Sequence, residues 1–394
     1  MAKRLKKVRF GIIGCGAMGS GHARGLSAAR DKDFCLTAVS DTHRGRERKL
    51  AKEVGVKGFD DDYEMMDSGL VDAVIVATPH YEHPVLTIAA ARRGLHVLTE
   101  KPVAVSVGPA RAMVAECRKH RVALGVMFQQ RNRPEMRKMK DLVDAGAVGE
   151  VFRIQMICSN WYRTQHYYNS GAWRGTWNGE GGGILLNQAP HSLDLFQWIG
   201  GMPKRIVATV GTRHHKIEVE NTANAILEYP NGKIGYIYAT TAEAPGMEQL
   251  MVCGDAGTLV AENGQLRHAR LSTPIRKHLL GATAGMQPPK AAWRTVTLPK
   301  IEGTHMRIVR AFVKHLRRGT PLVATGKEGI NELELSNAIY IAGYGSKGVN
   351  LPVDAAEMER LLTRLARKHD TGKSENYRRV ANAELRKLLG KFPA

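Results

Sequence analysis

Short apolar segments alternate with amphipathic stretches along the first third of the chain. Two of those stretches, Pro84 to Arg93 and Ser106 to His120, have helical periodicity and lie between successive apolar segments. Apolar segments of this length between helices are typical of a parallel sheet with helices on both faces. The predicted strands are Val8 to Ile13, Phe34 to Ser40, Ala73 to Ala77, Leu95 to Thr99 and Val122 to Val126. The pattern therefore predicts an α/β fold with a doubly wound parallel sheet in a domain of residues 1–128.

The pattern changes after residue 128, where strands follow one another more directly. The predicted strands are Gly149 to Ile157, Arg205 to Gly211, Thr222 to Tyr229, Ile234 to Thr241 and Gln249 to Gly254. Asn231-Gly232 is a hairpin turn between two of them. A helix over Ile184 to Ile199 would cover one face of the sheet. We predict an α+β domain with a large, open, mostly antiparallel sheet over residues 129–360, and a basic helical tail over 361–394.

A glycine-rich turn follows the first strand and opens the first helix. Its sequence is Gly14-Cys15-Gly16-Ala17-Met18-Gly19. Gly14 permits the tight turn, Gly16 lets the backbone approach a pyrophosphate, and Gly19 allows close packing of helix and strand. The amide groups at the helix N-terminus, with Ala17 and Met18, would face the phosphates. This strand-turn-helix context predicts a dinucleotide site.

Asp41 ends the second predicted strand, 22 residues after Gly19. A carboxylate at this point binds the hydroxyls of the adenosine ribose and repels a 2′-phosphate. NAD is therefore favoured over NADP. Arg44, three residues further on, could reach a phosphate, or it is a surface arginine at the start of a helix.

Polar residues follow the strands Ala73 to Ala77 and Leu95 to Thr99. Ligands of open α/β sheets bind at the carboxyl edge of the strands, so Ala77, Thr78 and His80 should approach the nicotinamide side of the cofactor. His83 has two interpretations, a ligand of the cofactor or a cap of the following helix. Glu100 and Lys101 follow the next strand and should lie at the same edge.

The predicted helix Ile184 to Ile199 carries a polar stripe on an otherwise apolar sequence. Asn187, His191 and Asp194 are spaced i, i+4 and i+7, so on a helix they share one face. Such a stripe is usually aimed at a cavity or a partner, although His191 could also be a core histidine with satisfied hydrogen bonds.

Composition excludes several classes of protein. The formal net charge is +21, but residues 360–394 hold ten Lys and Arg against three Asp and Glu, and the rest of the excess is scattered. A solvated basic surface that attracts anions is favoured over nucleic-acid binding, because no helix-turn-helix, zinc finger or aromatic-and-basic platform for single strands appears. Five widely spaced cysteines lack zinc spacing, so no metal is expected. With no apolar stretch near the roughly 20 residues of a membrane span and no signal-like segment, a cytoplasmic protein is expected.

Aromatic residues concentrate between positions 161 and 177. Six of the 24 aromatic residues lie within these 17 positions, interleaved with Arg, Gln, Asn and His. Aromatic faces and fork-like donors suit a pyranose ring, whose C–H faces stack while its hydroxyls need partners. The alternative is an oligomer interface, where Tyr and Trp are also enriched.

In order and spacing, these features resemble the glucose-fructose oxidoreductase and inositol dehydrogenase family (Gfo/Idh/MocA). The features are Gly14-x-Gly16-x-x-Gly19, Asp41, Ala77-Thr78-Pro79, Glu100-Lys101-Pro102, and Gly181-Gly182-Gly183 followed by His191-x-x-Asp194. The resemblance covers about residues 6 to 360. It implies a Rossmann domain, a second domain whose open sheet often forms the oligomer interface, and a substrate held between nicotinamide and sheet.

The resemblance also implies roles for single residues. Lys101 matches the family's active-site lysine, His191 its catalytic histidine, and Trp173-Arg174 a pair that in several members reaches the cofactor. Many members carry an aspartate four residues before the histidine, where this chain has Asn187. Either Asp194 supports His191 instead, or His191 is less basic and Lys101 chiefly activates the hydroxyl.

We therefore expect an NAD-dependent dehydrogenase that oxidises a ring secondary hydroxyl of a sugar, glycoside or inositol, with C3 of a glucoside as one possibility. Two alternatives are a glycosidase that uses transient oxidation by bound NAD, and a non-catalytic NAD-binding regulator. A homodimer or homotetramer is expected. The expected catalytic residues are Lys101, His191, Asn187 and Asp194. The expected substrate-binding residues are Lys101, Arg131, Tyr162, Arg163, His166, Trp173, Trp177, Asn187 and His191.

Overall fold

The computed structural model describes residues 6–301, 304–369, 372 and 376–393. The strands are β1 Val8–Ile13, β2 Phe34–Ser40, β3 Lys57–Phe59, β4 Ala73–Val76, β5 His96–Thr99, β6 Leu124–Val126, β7 Val151–Cys158, β8 Arg205–Gly211, β9 Thr222–Glu228, β10 Ile234–Thr240, β11 Glu248–Gly254, β12 Gly257–Glu262, β13 Gln265–Leu271, β14 Ala291–Thr295 and β15 Val349–Asn350.

Helices occupy much of the remaining chain. They are α1 Ala17–Ala29, α2 Arg46–Val54, α3 Asp62–Asp67, α4 Glu82–Arg92, α5 Val107–Lys119, α6 Pro134–Asp144, α7 Gln165–Asn169, α8 Pro190–Gly200, α9 Ile275–Gly281, α10 Thr304–Arg318, α11 Gly326–Gly345, α12 Ala355–Lys368 and α13 Tyr377–Leu389, with a 3₁₀ turn at Gln129–Asn132.

The N-terminal sheet has six parallel strands in the order β3-β2-β1-β4-β5-β6. This is the doubly wound order in which a dinucleotide binds where the strand order reverses, between β1 and β4. The predicted parallel sheet is confirmed, with every predicted strand present. The sequence pattern missed β3, because three residues are too short to show a periodicity.

The second sheet has nine strands in the order β14-β13-β12-β11-β7-β10-β9-β8-β15. Neighbouring strands are antiparallel except for β7 and β10, which run parallel. The mostly antiparallel sheet is therefore confirmed. Helices α8 and α11 pack against it, α8 on β7 and α11 on β8.

The helix predicted over Ile184 to Ile199 is shorter than expected. It begins at Pro190, a residue suited to the first helical turn because it has no N–H to leave unbonded. Residues 184–189 instead form tight turns, in which the amide of Asn187 donates to the carbonyl of Gly183 (2.9 Å). Asn187 is thus not on the same helix as His191, and the predicted three-residue stripe is wrong.

The second half of the chain returns to the N-terminal sheet. On α10, Ile308, Val309, Phe312 and Val313 share a hydrophobic cluster with β1 and β2. The Phe312 ring centroid lies 6.4 Å from that of Phe10. Farther along, α13 packs against α4. The N-terminal layer therefore includes a helix from the segment that the sequence pattern places in the second domain. Across the described residues, no helix combines the length and apolar character needed to cross a membrane.

Candidate active site

The glycine turn has the geometry expected of a pyrophosphate cradle. Gly14 has φ +92°, which favours glycine, and a Cβ at Gly19 would overlap the carbonyl oxygen of Gly14. A Cβ at Gly16 would meet no described protein atom within 4 Å. Helix α1 begins immediately afterwards, and no side chain in the described part of the protein caps its N-terminus. The amides of Ala17 and Met18 therefore belong to a helix end with the positive dipole that suits phosphate.

Asp41 lies directly beside this turn. One carboxylate oxygen accepts from the amide of Cys15 (2.7 Å) and the other from the amide of His43 (2.8 Å). These bonds hold the carboxylate rigidly at the carboxyl end of β2, where a ribose is expected. Arg44 is exposed in the following turn.

The loop after β4 closes the same edge of the sheet. The amide of Ala77 donates to the carbonyl of Ile13 (2.8 Å), which fixes the loop to β1. Among the residues that the structure describes, the buried hydroxyl of Thr78 has no hydrogen-bond partner. A buried donor without a partner is costly in a native protein, so Thr78 fits contact with a bound cofactor. Together with the open approach at Gly16 and the helix end, it shows that this edge fits a dinucleotide.

His80 in this loop and His83 in the first turn of α4 connect different parts of the structure. The ring nitrogens of His83 lie 2.7 Å from the carbonyl oxygen of Pro102 and 2.9 Å from that of Thr78, so His83 ties two loops together. His80 is buried; its Nδ1 donates to the carbonyl of Glu180 (2.9 Å), and its ring contacts Trp173 at a centroid distance of 5.9 Å. His80 therefore links the cofactor edge to the second domain.

Glu100 and Lys101 follow β5, as the sequence predicts. Buried His22 on α1 donates to the Glu100 carboxylate (2.7 Å). Burial alone would raise the pKa of Glu100, but the hydrogen bond from His22, together with the positive charge of Lys101, lowers that pKa to about 2. The Lys101 ammonium donates to the carbonyl of Asn187 (2.7 Å). Burial lowers the pKa of Lys101, while Glu100 and two other carboxyl groups, Glu332 and Glu180, oppose the shift.

His191 lies in the first turn of α8, beside Lys101. Its Nε2 is 3.1 Å from the side-chain amide nitrogen of Gln129, and its ring packs edge-on against Phe128. Within the described residues, Nδ1 is buried and has no hydrogen-bond partner. Burial, and then the charge of Lys101, lowers the pKa of His191 to about 3. The imidazole is therefore neutral at physiological pH, the form that can accept a proton.

Three successive glycines place the Asn187 turn. A Cβ at Gly181 would lie 2.6 Å from Val105, and Cβ atoms at the next two positions would overlap Tyr340 and the backbone of Glu220. The buried Glu220 carboxylate accepts from the amides of Gly183 (2.9 Å) and Leu185 (3.0 Å). Only residues without side chains fit this close approach, which brings the Asn187 carbonyl to Lys101.

A buried carboxyl group, that of Glu180, contacts the side chain of Asn187. One Glu180 oxygen accepts from the amide of Gly175 (2.6 Å), and the other accepts from the side-chain amide of Asn187. Burial raises the pKa of Glu180 to about 7, against the lowering effect of those hydrogen bonds and of Arg174 and Lys101. A buried carboxyl with a pKa of about 7 therefore contacts Asn187, and the carbonyl of Asn187 binds Lys101.

Asp194 and Arg131 form a separate buried ion pair. Arg131 is fully buried and donates to both oxygens of Asp194 (2.8 and 2.6 Å) and to Glu328 (2.5 Å). The expectation that Asp194 supports His191 is therefore wrong, because Arg131 occupies both carboxylate oxygens. Arg131 is likewise not open to a substrate, although the sequence analysis expected it to bind one. The pair joins the Gln129–Asn132 turn to α8 and α11.

The aromatic segment divides into a buried and an open part. Trp177 is fully buried, and its indole N–H donates to the carbonyl of Glu218 (2.9 Å), so its ring cannot stack on a substrate. Tyr162 and His166 are exposed. Trp173 lies beside His80, which places it and Arg174 at the cofactor edge. Among the residues of this segment that were expected to bind substrate, Trp177 is the one whose burial contradicts that expectation.

Tyr167, which the sequence analysis did not assign, connects Arg163, Arg174 and Asn187. The guanidinium carbons lie 4.8 Å (Arg163) and 4.5 Å (Arg174) from its ring centroid. The phenol oxygen accepts from Arg174 (2.6 Å) and from the side-chain amides of Asn187 and Gln188, both at 3.3 Å.

Glu180, Tyr167, Gln129 and His22 were not identified from the sequence as site residues. A signal existed for Gln129, which follows β6 at the same carboxyl edge as Lys101. Glu180 directly precedes the three glycines, but nothing local shows which way its side chain points. Among the described residues, no group of three or more His, Cys, Asp or Glu is arranged to hold a metal ion.

Comparisons with known proteins extend this picture. The model for the oxidoreductase family with an NAD-binding Rossmann fold (GFO_IDH_MocA) matches residues 8–128. The model for the GFO/IDH/MocA C-terminal domain matches residues 136–260. Together the two matches span more than half of the chain.

Relatives of known activity align along most of the chain. Myo-inositol 2-dehydrogenase of Thermotoga maritima is 25% identical over 338 residues, which is 84% of this chain and 95% of the relative. D-apiose dehydrogenase of Paraburkholderia graminis is 26% identical over 359 residues, covering 90% and 92%. The structure of WlbA dehydrogenase from Bordetella pertussis with NADH and UDP-GlcNAcA has 26% identity and a TM-score of 0.75, covering 88% of this chain and 100% of that one.

Proposed function

The chain belongs to the Gfo/Idh/MocA family of NAD-binding oxidoreductases, and we propose that it oxidises a ring secondary hydroxyl of a sugar, glycoside or inositol to a ketone. Relatives named as inositol and apiose dehydrogenases support this substrate class. One observation carries the proposal, namely that the Lys101 ammonium is held by the carbonyl of Asn187 (2.7 Å), four residues before His191, whose pKa is lowered by burial and then by the charge of Lys101.

The residues divide the chemistry of an alcohol oxidation between them. Bound NAD supplies the hydride acceptor, and the chain supplies the groups that act on the substrate oxygen. Lys101 donates a hydrogen bond to that oxygen and stabilises its developing negative charge. His191 accepts the hydroxyl proton through a ring nitrogen. Burial keeps His191 unprotonated at neutral pH, and the neutral imidazole is the form that can accept a proton.

Asn187 and Glu180 have a positioning role in this proposal. The Asn187 carbonyl holds Lys101 (2.7 Å), and its side-chain amide is fixed by the Glu180 carboxylate. Lys101 is thereby oriented by a backbone carbonyl, which is uncharged and does not titrate. Phe128 and Gln129 hold the ring of His191. A positioned base typically contributes about 10²- to 10⁴-fold in rate.

The test combines a substrate screen with one variant. We expect NAD reduction with at least one member of a panel of pyranoses, glycosides and inositols, and NMR of the product identifies the oxidised carbon, including C3 of a glucoside. Lys101→Met keeps the apolar stem and removes the ammonium, so it should abolish hydride transfer while leaving NAD affinity nearly unchanged. Lys119→Met, which alters an exposed lysine at the end of α5, is the matched control. Stopped-flow NADH formation at wild-type speed in the Lys101 variant would contradict the role of Lys101.

We also propose that the open face of the nine-stranded sheet forms a homodimer or homotetramer interface. Large apolar side chains on this sheet are exposed, among them Ile226 (52%) and Ile234 (53%). Contiguous exposed apolar surface of this kind usually marks an interface. Analytical ultracentrifugation should show an oligomer that dissociates in Ile226→Asp. A monomeric wild type at micromolar concentration would contradict the proposal.

A further inference from the structure

Three cationic side chains around the candidate active site lack acidic partners. Lys101, Arg163 and Arg174 form no ion pair with any carboxylate in the described residues. By contrast, Arg131 and Arg133 in the neighbouring layer are each held by two carboxylates. The cations where the substrate is expected are therefore not paired directly with a carboxylate, whereas the two neighbouring arginines are.

A continuous set of contacts connects the three cations. The two guanidiniums lie against the ring of Tyr167, whose hydroxyl is 3.3 Å from the Asn187 side chain. The Asn187 carbonyl in turn accepts from Lys101. The charge of Arg163 also contributes to lowering the pKa of Lys101, after the larger effect of burial. Arg163 and Lys101 are therefore connected through Tyr167 and Asn187.

The carboxyl groups near these three cations are buried or hydrogen-bonded to other groups. Glu100 is occupied by His22. Burial raises the pKa of Glu332 well above its usual range, so burial disfavours the charged form of that carboxyl. The two oxygens of Glu180 accept hydrogen bonds from the Gly175 amide and the Asn187 side chain.

Arg163 has donor capacity that the protein does not use. One Nη donates to the carbonyl of Tyr162 (2.9 Å), while the Nε group is shielded from solvent and has no partner in the part of the chain that the structure describes. A guanidinium has five N–H donors arranged to bind a carboxylate or phosphate through two parallel bonds. A buried donor without a hydrogen-bond partner is unfavourable, so the free N–H groups of Arg163 suit a bound carboxylate or phosphate.

We propose that the substrate is an anionic sugar or polyol, whose carboxylate or phosphate binds Arg163, with Arg174 beside it, while its reacting hydroxyl faces Lys101 and His191. This inference rests on the proposed dehydrogenase function. Arg163 makes the main contact, because Trp173 places Arg174 at the cofactor edge. The net charge of +21 would also draw an anionic substrate toward the protein.

The experiment compares matched neutral and anionic substrates by initial rates of NADH formation. The pairs are glucose with glucuronate, and glucose with glucose 6-phosphate, so that the two arms separate carboxylate from phosphate recognition. We expect kcat/KM to be about tenfold to a hundredfold higher for at least one anionic member, which is the range of a charged hydrogen bond. Added NaCl should raise KM for that anion more than for glucose.

Variants of Arg163 test the contact itself. Arg163→Met should lose most of the anionic preference, and Arg163→Lys should recover part of it as a point charge. Arg137→Met is the matched control, because Arg137 also stacks on an aromatic ring, that of Trp198 (5.6 Å), near the far end of α8. NAD titration of each variant confirms that the cofactor domain is intact.

Each outcome has a distinct meaning. Oxidation of neutral and anionic partners at equal kcat/KM would overturn the anionic substrate and leave the proposed dehydrogenase in place. Equal losses on both partners in the two Arg163 variants would show a structural role for Arg163 and also overturn the inference. No NAD reduction with any neutral or anionic sugar or polyol would reject the proposed function and this inference together.

Discussion

Glu180 gives the sharpest prediction, because its protonation should be visible in the stability of the whole protein. Burial raises its folded-state pKa from 4.5 to about 7. Between these two values the folded protein holds a proton that the unfolded chain releases. The free energy of unfolding therefore decreases as pH rises through this window, and the penalty is complete above pH 7 and absent below pH 4.5.

The size of the effect follows from the shift. Each pKa unit corresponds to about 1.4 kcal/mol, so the titration of Glu180 should cost about 3 kcal/mol across the window. Glu180→Gln cannot titrate. It also replaces one acceptor by an N–H beside Gly175 or Asn187, a loss of about 1–3 kcal/mol at every pH. The variant should thus be less stable than wild type at pH 5, and equal or more stable at pH 8.5.

Urea unfolding followed by circular dichroism at pH 5, 6, 7 and 8.5 measures both curves. The informative quantity is the difference between variant and wild type, which should change by about 3 kcal/mol over this range. Glu64→Gln, which alters an exposed side chain on α3, is the matched control and should follow the wild-type curve. A constant offset between the Glu180→Gln and wild-type curves would refute the reasoning, because it would mean that Glu180 is charged throughout.

Three further changes test the site. His191→Asn should lower kcat at least 10²-fold with NAD affinity retained; wild-type turnover would exclude His191 as the base. Asn187→Asp should place a second carboxyl beside Glu180, so that the pair shares a proton and stability falls at alkaline pH; an unchanged dependence of stability on pH would contradict this. Asp41→Ser should shift preference from NAD toward NADP by about tenfold to a thousandfold; calorimetry with both cofactors measures it, and equal binding of NADP by wild type would count against Asp41.

Local patterns in the sequence were sufficient for the cofactor half of the molecule. The turn from Gly14 to Gly19 and the carboxylate Asp41 lie at strand ends, and strand ends are marked by where apolar runs stop. Lys101 could also be placed, because parallel strands such as β4 and β5 end at a common edge. These predictions depend only on short-range periodicity and turn chemistry, which each segment carries by itself.

The partners of buried charges depended on the tertiary structure. Asp194 lies three residues from His191, yet its carboxylate binds Arg131, 63 residues away in sequence. Glu180 reaches Asn187 only because the three glycines fold the chain tightly between them. The sequence shows that a charge is present and which face it is on. Its partner is decided by which opposite charge or hydrogen-bond donor is brought within about 3 Å when water is excluded, and that depends on the packing of distant segments.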